Sequence, residues 1–319
     1  MSGEASKVTG DLGEQNAKKF FEFLGWKSLS ATSLDFECVL EAHKTPTGKD
    51  KKAHGIDFVY SYECPYSKVE KVILVDSKAL KWEDRGENHG EGKTKNEVSG
   101  FFNDLHKKLN CAKISKDLKE KLGIGSRSDY IGLIFYFCHD QFFDKVQLVK
   151  ALEDVSVPRD AFTSTSFVLD NSRINLLYSM FKKIESLKLQ IGKGAEHSFC
   201  YFDLERFPMD GSLHNYLTLQ SMFSNFIFVK ISNNDGASTN HVFYFGAYSP
   251  DAIKMFASAL YKFQIYLMDN LHFYPVSMKS ALGNMHAIEQ YFSNGFLKIG
   301  DKAIKIECSD IDNIDFRLK

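Results

Sequence analysis

Proline is scarce in this chain, with 6 residues in 319, and glycine is ordinary at 21, so the composition fits neither a collagen-like repeat nor a low-complexity disordered chain. No run approaches the roughly 18 apolar residues that a membrane span needs. The start, Met1-Ser2-Gly3-Glu4-Ala5-Ser6-Lys7, lacks the apolar core of a secretory signal. These absences imply a soluble cytoplasmic protein without a membrane partner. The six cysteines (Cys38, Cys64, Cys111, Cys138, Cys200, Cys308) are scattered, and no two stand at zinc-ligand spacing. In a chain this long they read as reduced core residues. An excess of charge is missing as well: 40 basic residues face 41 acidic ones, a net charge of −1. A polyanion would have to be held by a local stripe of lysines or by a bound metal.

What the chain does have is enough apolar material for sizeable cores, 44% of the sequence, including 28 phenylalanines. The length suits two domains. The pattern turns polar near Val155–Thr165, around Pro158, which predicts a first domain over 1–155 and a second over 160–319.

Periodicity places the elements. Ala17, Phe20, Phe21 and Leu24 recur at helical spacing, which predicts a helix over Gly13–Leu24 with Gly25 at its C-terminal cap. A strand is expected around Asp35–Ala42, then a polar basic loop, Thr45-Pro46-Thr47-Gly48-Lys49-Asp50-Lys51-Lys52. Gly55–Tyr62 and Lys71–Leu80 read as two strands of a hairpin joined through Cys64-Pro65-Tyr66-Ser67. Trp82–Asn96 is polar and reads as a mobile loop. Val98, Phe101, Phe102, Leu105 and Leu109 then mark an amphipathic helix, and Tyr130–Phe137 a buried strand. In the second half, strands are expected at Ser198–Leu204, Phe226–Ile231 and His241–Tyr248, and helices at Asn175–Leu187 and Pro250–Met268. That is an α/β or α+β domain without a nameable motif.

The chemistry concentrates near the start. In Val72-Ile73-Leu74-Val75-Asp76-Ser77-Lys78-Ala79, four apolar residues lead into an Asp and a Lys two positions apart, hence on one face of the strand. Taken alone, this is also what an ion pair at a strand end looks like. The preceding arm, His54-Gly55-Ile56-Asp57-Phe58-Val59-Tyr60, carries an Asp that interrupts an apolar strand and is a poor β-former. If Asp57 faces Asp76 across the hairpin, the two carboxylates repel, and a hard divalent cation such as Mg²⁺ relieves that repulsion. Glu14, in Gly10-Asp11-Leu12-Gly13-Glu14, lies three and seven residues before Ala17 and Phe21 and so rides the apolar face of the first helix. An ordinary acidic residue at a helix N-terminus would look the same.

Gly-x-x-Gly-Glu at a first helix, then Gly-Ile-Asp, then Val-Asp-x-Lys-Ala on the next strand resembles the PD-(D/E)XK nucleases, and within them the archaeal Holliday-junction resolvases and Mrr-type restriction enzymes. The resemblance covers residues 8–140. The run Gly100–Ser115 followed by Tyr130–Tyr136 is similar to nuclease subunits of two-gene anti-phage defence systems on mobile elements. Asp57 in Gly-Ile-Asp replaces the nominal Pro-Asp, Asp76 stands where Glu is commoner, and the interval between the two is long.

The resemblance implies a restriction-endonuclease-like α/β fold, a mixed sheet flanked by helices, followed by the C-terminal α/β or α+β domain for substrate or partner binding. It implies hydrolysis of phosphodiesters in nucleic acid, with DNA favoured and RNA (as an RNase or tRNase) the alternative. A nuclease fold kept as the scaffold subunit of a hetero-complex is the rival from another class. The site would comprise Glu14, Asp57, Asp76 and Lys78. Mg²⁺ or Mn²⁺ would be held by Asp57 and Asp76, with the Ser77 carbonyl and Glu14 assisting, and Lys78 would orient the attacking water. Lys49, Lys51, Lys52 and His54 are candidate phosphate contacts. A second protein subunit or a homodimer is the expected mode of assembly.

Overall fold

A computed structural model of the chain describes residues 2–30, 32–45, 47–80, 91–139, 165–202, 212–246, 251, 255, 258–259, 271–276, 298–299, 302–303, 307–308, 311 and 316. The chain divides into two compact units, Met1–Ile174 and Asn175–Lys319.

The first unit opens with helix α1 (Ser2–Glu22). It starts eleven residues before the expected Gly13, yet its buried stripe is the expected one: Ala17, Phe20, Phe21 and Leu24 are all at most 1% exposed. Strands β1 (Lys27–Ser28), β2 (Leu34–Glu37), β3 (Ala53–Ile56), β4 (Phe58–Glu63) and β5 (Glu70–Leu80) follow. Helices α2 (Glu91–Ile114) and α3 (Lys116–Leu122), and strands β6 (Asp129–Cys138) and β7 (Thr165–Leu169), complete the unit. The loop expected over Trp82–Asn96 lies outside the described residues up to position 90. From Glu91 onward the chain is helical instead, as the first turns of α2.

The main sheet runs β1-β4-β5-β6-β7. The hairpin β4–β5 is antiparallel, as its short turn requires, whereas β6 and β7 join in parallel. Val72, Ile73, Leu74 and Val75 of β5 are all fully buried, because helices cover both faces of this central strand. On one face Phe20 and Phe21 of α1 pack on Phe135 of β6, and Phe21 also on Tyr60 of β4. Burying a phenylalanine of this kind contributes about 1.5–3 kcal/mol. On the other face Val72, Leu74 and Leu80 meet Val98, Leu105, Leu109 and Ala112 of α2 and Leu118 of α3. Gly132 of β6 is the point of closest approach there, since a Cβ at that position would lie 2.7 Å from Leu105 Cδ2. A short antiparallel pair, β2–β3, is added beside this layer. The pairing of β7 with β6 carries the first unit to Ile174, past the boundary expected at 155–160. The sequence between β6 and β7 turns polar before the last strand of the sheet has been added.

The second unit takes up helix α4 (Asn171–Ile191) from Asn175 and continues with β8 (Glu196–Tyr201), β9 (Ser212–His214), α5 (Leu219–Met222), β10 (Phe226–Ser232) and β11 (Ser238–Tyr244). Strands β12 (Leu271–Pro275), β13 (Lys298–Ile299), β14 (Lys302–Ala303) and β15 (Glu307–Cys308) follow. Its larger sheet runs β15-β12-β11-β10-β8-β9 and is also mixed. The aromatic runs at Phe226–Phe228 and Phe243–Phe245 belong to β10, β11 and their edge, with Ile227, Val229 and Phe243 buried as core. The helix expected over Pro250–Met268 falls largely outside the described residues. Among the described residues no helix is long and apolar enough to cross a membrane.

Candidate active site

The apolar run of β5 ends at Asp76, which shares the α2-facing side of the strand with Val72 and Leu74. Asp76 is 2% exposed. An isolated carboxylate at that depth would be costly, and two ammonium groups offset it. Lys78 Nζ lies 3.0 Å from Asp76 Oδ1, and Lys108 Nζ lies 3.1 Å from Asp76 Oδ2. Asp76 Oδ2 is met by the ion pair with Lys108, and Ser77 Oγ has no hydrogen-bond partner among the described residues. Lys108 also pairs with Asp104 at 3.0 Å, one helical turn away on α2, and Asp104 accepts from Lys51 at 2.9 Å. Lys78 lies over the Phe101 ring, 5.2 Å from its centroid.

Asp57 stands at a bend between β3 and β4. Continuing the register in which Phe58 faces Val75 brings Asp57 opposite Asp76. Its Oδ2 accepts a hydrogen bond of 2.6 Å from the Ser77 backbone N–H. Burial first, and then the Asp76 carboxylate, push the Asp57 carboxyl up to about 6, against the opposing pull of the Ser77 amide, Lys78 and Lys108. The Asp104 carboxyl goes the other way, to about 2: burial would raise it, but Lys108 and Lys51 outweigh burial. Burial also disfavours the charged form of Lys108, yet Asp76 and Asp104 raise its pKa overall.

Glu14 arrives by a different route. A Cβ on its neighbour Gly13 would lie 2.3 Å from Ala79 Cβ, so α1 meets β5 directly at Ala79. By the alternation of a strand, Ala79 faces away from Asp76 and Lys78. Half-buried Glu14 therefore reaches the same end of β5, and among the described residues no hydrogen bond or ion pair joins it to Asp57, Asp76 or Lys78.

The basic loop divides. Lys49 and Lys52 are exposed, and Lys51 is tied to Asp104. His54 is not a surface residue: it is fully buried, between Phe36 and His43. The pairing of β3 with β2 turns His54 and Ile56 inward while Ala53 and Gly55 face out. A phosphate at the surface cannot reach it. Burial, then Lys51 and His43, lower its pKa to about 4.

Lys108 and Asp104 lie outside the motif that marks the site in the sequence. The missed signal is that Lys108 stands three residues after Leu105 and four before Ala112, on the apolar stripe of α2. A lysine there is buried, at 6% exposure, and must be paired.

The donor set suits a hard cation. Two carboxylates brought opposite each other, Asp76 buried and Asp57 pushed up by burial and then by Asp76, match the oxygen ligands that hard divalent cations take. The family model described as the GAPS4 protein PD-(D/E)XK nuclease domain matches residues 1–173, all but the last residue of the first unit. A comparison with curated proteins finds no match.

Proposed function

The chain belongs to the family of GAPS4 PD-(D/E)XK nuclease domains, and from that premise we propose that it is a Mg²⁺- or Mn²⁺-dependent nuclease with DNA as the favoured substrate, acting in anti-phage defence. The observation that carries the reading is the meeting of Asp57 with buried Asp76 at the end of the Asp-x-Lys strand. DNA is favoured because the motifs resemble those of junction resolvases and restriction enzymes. The defence role rests on the similarity of Gly100–Tyr136 to nucleases of two-gene systems, which also makes a second protein subunit the expected partner.

Asp57 and Asp76 would hold the cation, with the Ser77 carbonyl and Glu14 completing its protein ligands. Such an ion lowers the pKa of bound water and offsets charge on the scissile phosphate. The residues of the chain supply the rest. Lys78 is anchored at Asp76 and only partly exposed, so its ammonium can donate to the attacking water or to a phosphate oxygen that gains charge in the transition state. Lys108 pairs with Asp76 from α2. Lys49 and Lys52 can contact the phosphate backbone without reading sequence. The second unit would bind substrate or partner.

The test is incubation of the full chain, alone and with its neighbouring gene product, with Mg²⁺ or Mn²⁺ and a panel of duplex DNA, single strands, junctions, plasmid and tRNA. Cleavage of DNA that Asp76→Asn abolishes is the expected result. Cleavage confined to RNA would overturn the substrate assignment. Absence of cleavage with the partner present would overturn the enzyme reading in favour of a scaffold.

A further inference from the structure

Four soft and borderline ligands converge where the β2–β3 pair and the loop within it meet α2. Cys38 follows β2, His43 sits in the loop, His54 is on β3 and Cys111 is on α2. Their ligand atoms all lie within 4.8 Å of one another. Cys38 Sγ is 3.7 Å from Cys111 Sγ, His43 Nδ1 is 3.4 Å from Cys38 Sγ and 3.3 Å from Cys111 Sγ, and His43 Nδ1 is 3.3 Å from His54 Nε2.

These separations can be compared with a metal site. Tetrahedral zinc, with Zn–S of about 2.3 Å and Zn–N of about 2.0–2.1 Å, sets its ligand atoms about 3.3–3.8 Å apart. Four of the six separations lie in that range, and all six are within 4.8 Å. A disulfide would need the sulfurs at about 2.0 Å, and both cysteines are free. A hydrogen-bonded cluster without metal would have to bring two thiols and two imidazoles to one point inside the protein. His54 and Cys111 there are fully buried and His43 is 8% exposed. The backbone holds the ligands in place: Cys38 N–H donates to the Lys52 carbonyl and Lys51 N–H to the His43 carbonyl.

We propose that Cys38, His43, His54 and Cys111 form a closed, tetrahedral structural zinc site. Four protein ligands leave no open position, so the ion does no chemistry. Its role is to pin β3 and the 38–54 loop to α2. His54 is three residues from Asp57, and Cys111 is three residues from Lys108. The site therefore ties together the two elements that bring Asp57 and Lys108 to Asp76. It depends on sulfur and imidazole rather than on the paired carboxylates, so it stands or falls apart from the nuclease reading.

The experiment is metal analysis of the full-length protein purified without chelator, together with cobalt(II) substitution. One zinc per chain is expected, and the cobalt form should show intense tetrahedral d–d bands with thiolate-to-cobalt charge transfer. Asp57→Ala/Asp76→Ala should keep the zinc, and Cys38→Ser/Cys111→Ser should lose it together with the charge-transfer band. Stripping the zinc should lower the thermal midpoint. Should the Cys variant fail to fold, the wild-type cobalt spectrum still decides. Wild-type protein from zinc-supplemented cells with negligible zinc and no charge-transfer band would overturn the proposal, as would a Cys38–Cys111 disulfide or zinc that follows the carboxylates.

Discussion

Asp57 pays for its position in a way that pH exposes. Its folded-state pKa of about 6 lies above the unfolded value of about 3.9. A carboxyl raised on folding binds its proton more tightly in the native chain. Its contribution is therefore favourable below about pH 4, and stability is lost as pH rises through about 6. At pH 8 the loss is about 2–3 kcal/mol before any cation is added. Asp57→Asn can keep the acceptor for the Ser77 N–H while removing the charge. It should raise the Tm of the metal-free protein at pH 8 and change it little at pH 4; a lower Tm at pH 8 would contradict the account. Cation binding by the wild type should weaken as pH falls through about 6, because the ion needs the ionised form. Asp104 has the opposite sign: with its pKa held near 2, its stabilisation is present above about pH 4 and lost as pH falls through about 2. Lys78 belongs to the rate rather than to the fold. Lys78→Ala leaves Asp76 paired with Lys108, so Tm should hold while the cleavage rate falls by about 10²–10³. Full activity in the folded variant would exclude the role assigned to Lys78.

Helices α1 and α2 clasp β5 from opposite faces, and each does so through a residue that propensity alone misjudges. Gly13 lies within α1, where replacing Gly by Ala ordinarily stabilises by about 0.8–1.0 kcal/mol. Here the new methyl would lie 2.3 Å from Ala79 Cβ, and overpacking of that kind costs about 1–3 kcal/mol. Gly13→Ala should therefore destabilise, read as a lower denaturant midpoint; a raised midpoint would mean that α1 does not meet β5 there. Lys108 is the counterpart on α2. Lys108 is the more buried of the two lysines and also holds Asp104, so Lys108→Met should cost about 3–5 kcal/mol, far more than Lys78→Ala. Local pattern made much of this legible. The stripe of α1, the β4–β5 hairpin, α2 and the Asp57–Asp76 pairing all follow from period and register within 25 residues or so of one another. The lysine's partner and the Cys38–His43–His54–Cys111 cluster were not legible, because Cys111 comes from another element and spacing carries no sign of it. His54 was misread because a basic loop looks exposed until β3 pairs with β2 and turns it inward.

At the scale of the whole molecule, charge sets the terms on which a polyanion is met. A net charge of −1 offers no general attraction for nucleic acid. The lysines nearest the carboxylates are already engaged: Lys78 and Lys108 with Asp76, and Lys51 with Asp104. Binding in the first unit should then fall to cations that have no carboxylate to satisfy, and Lys49 and Lys52 are exposed on the loop that runs into β3. Each phosphate contact on duplex DNA contributes about 0.9 to the slope of log affinity against log salt. Lys49→Ala/Lys52→Ala should weaken binding to all duplexes alike and flatten that slope by about 2. Lys51→Ala should change it less and cost stability at Asp104 instead. The measurement is anisotropy of labelled duplex titrated with catalytically dead Asp76→Asn protein at several salt concentrations. An unchanged slope in the double variant would move the phosphate contacts off this loop and leave the second unit to hold the substrate.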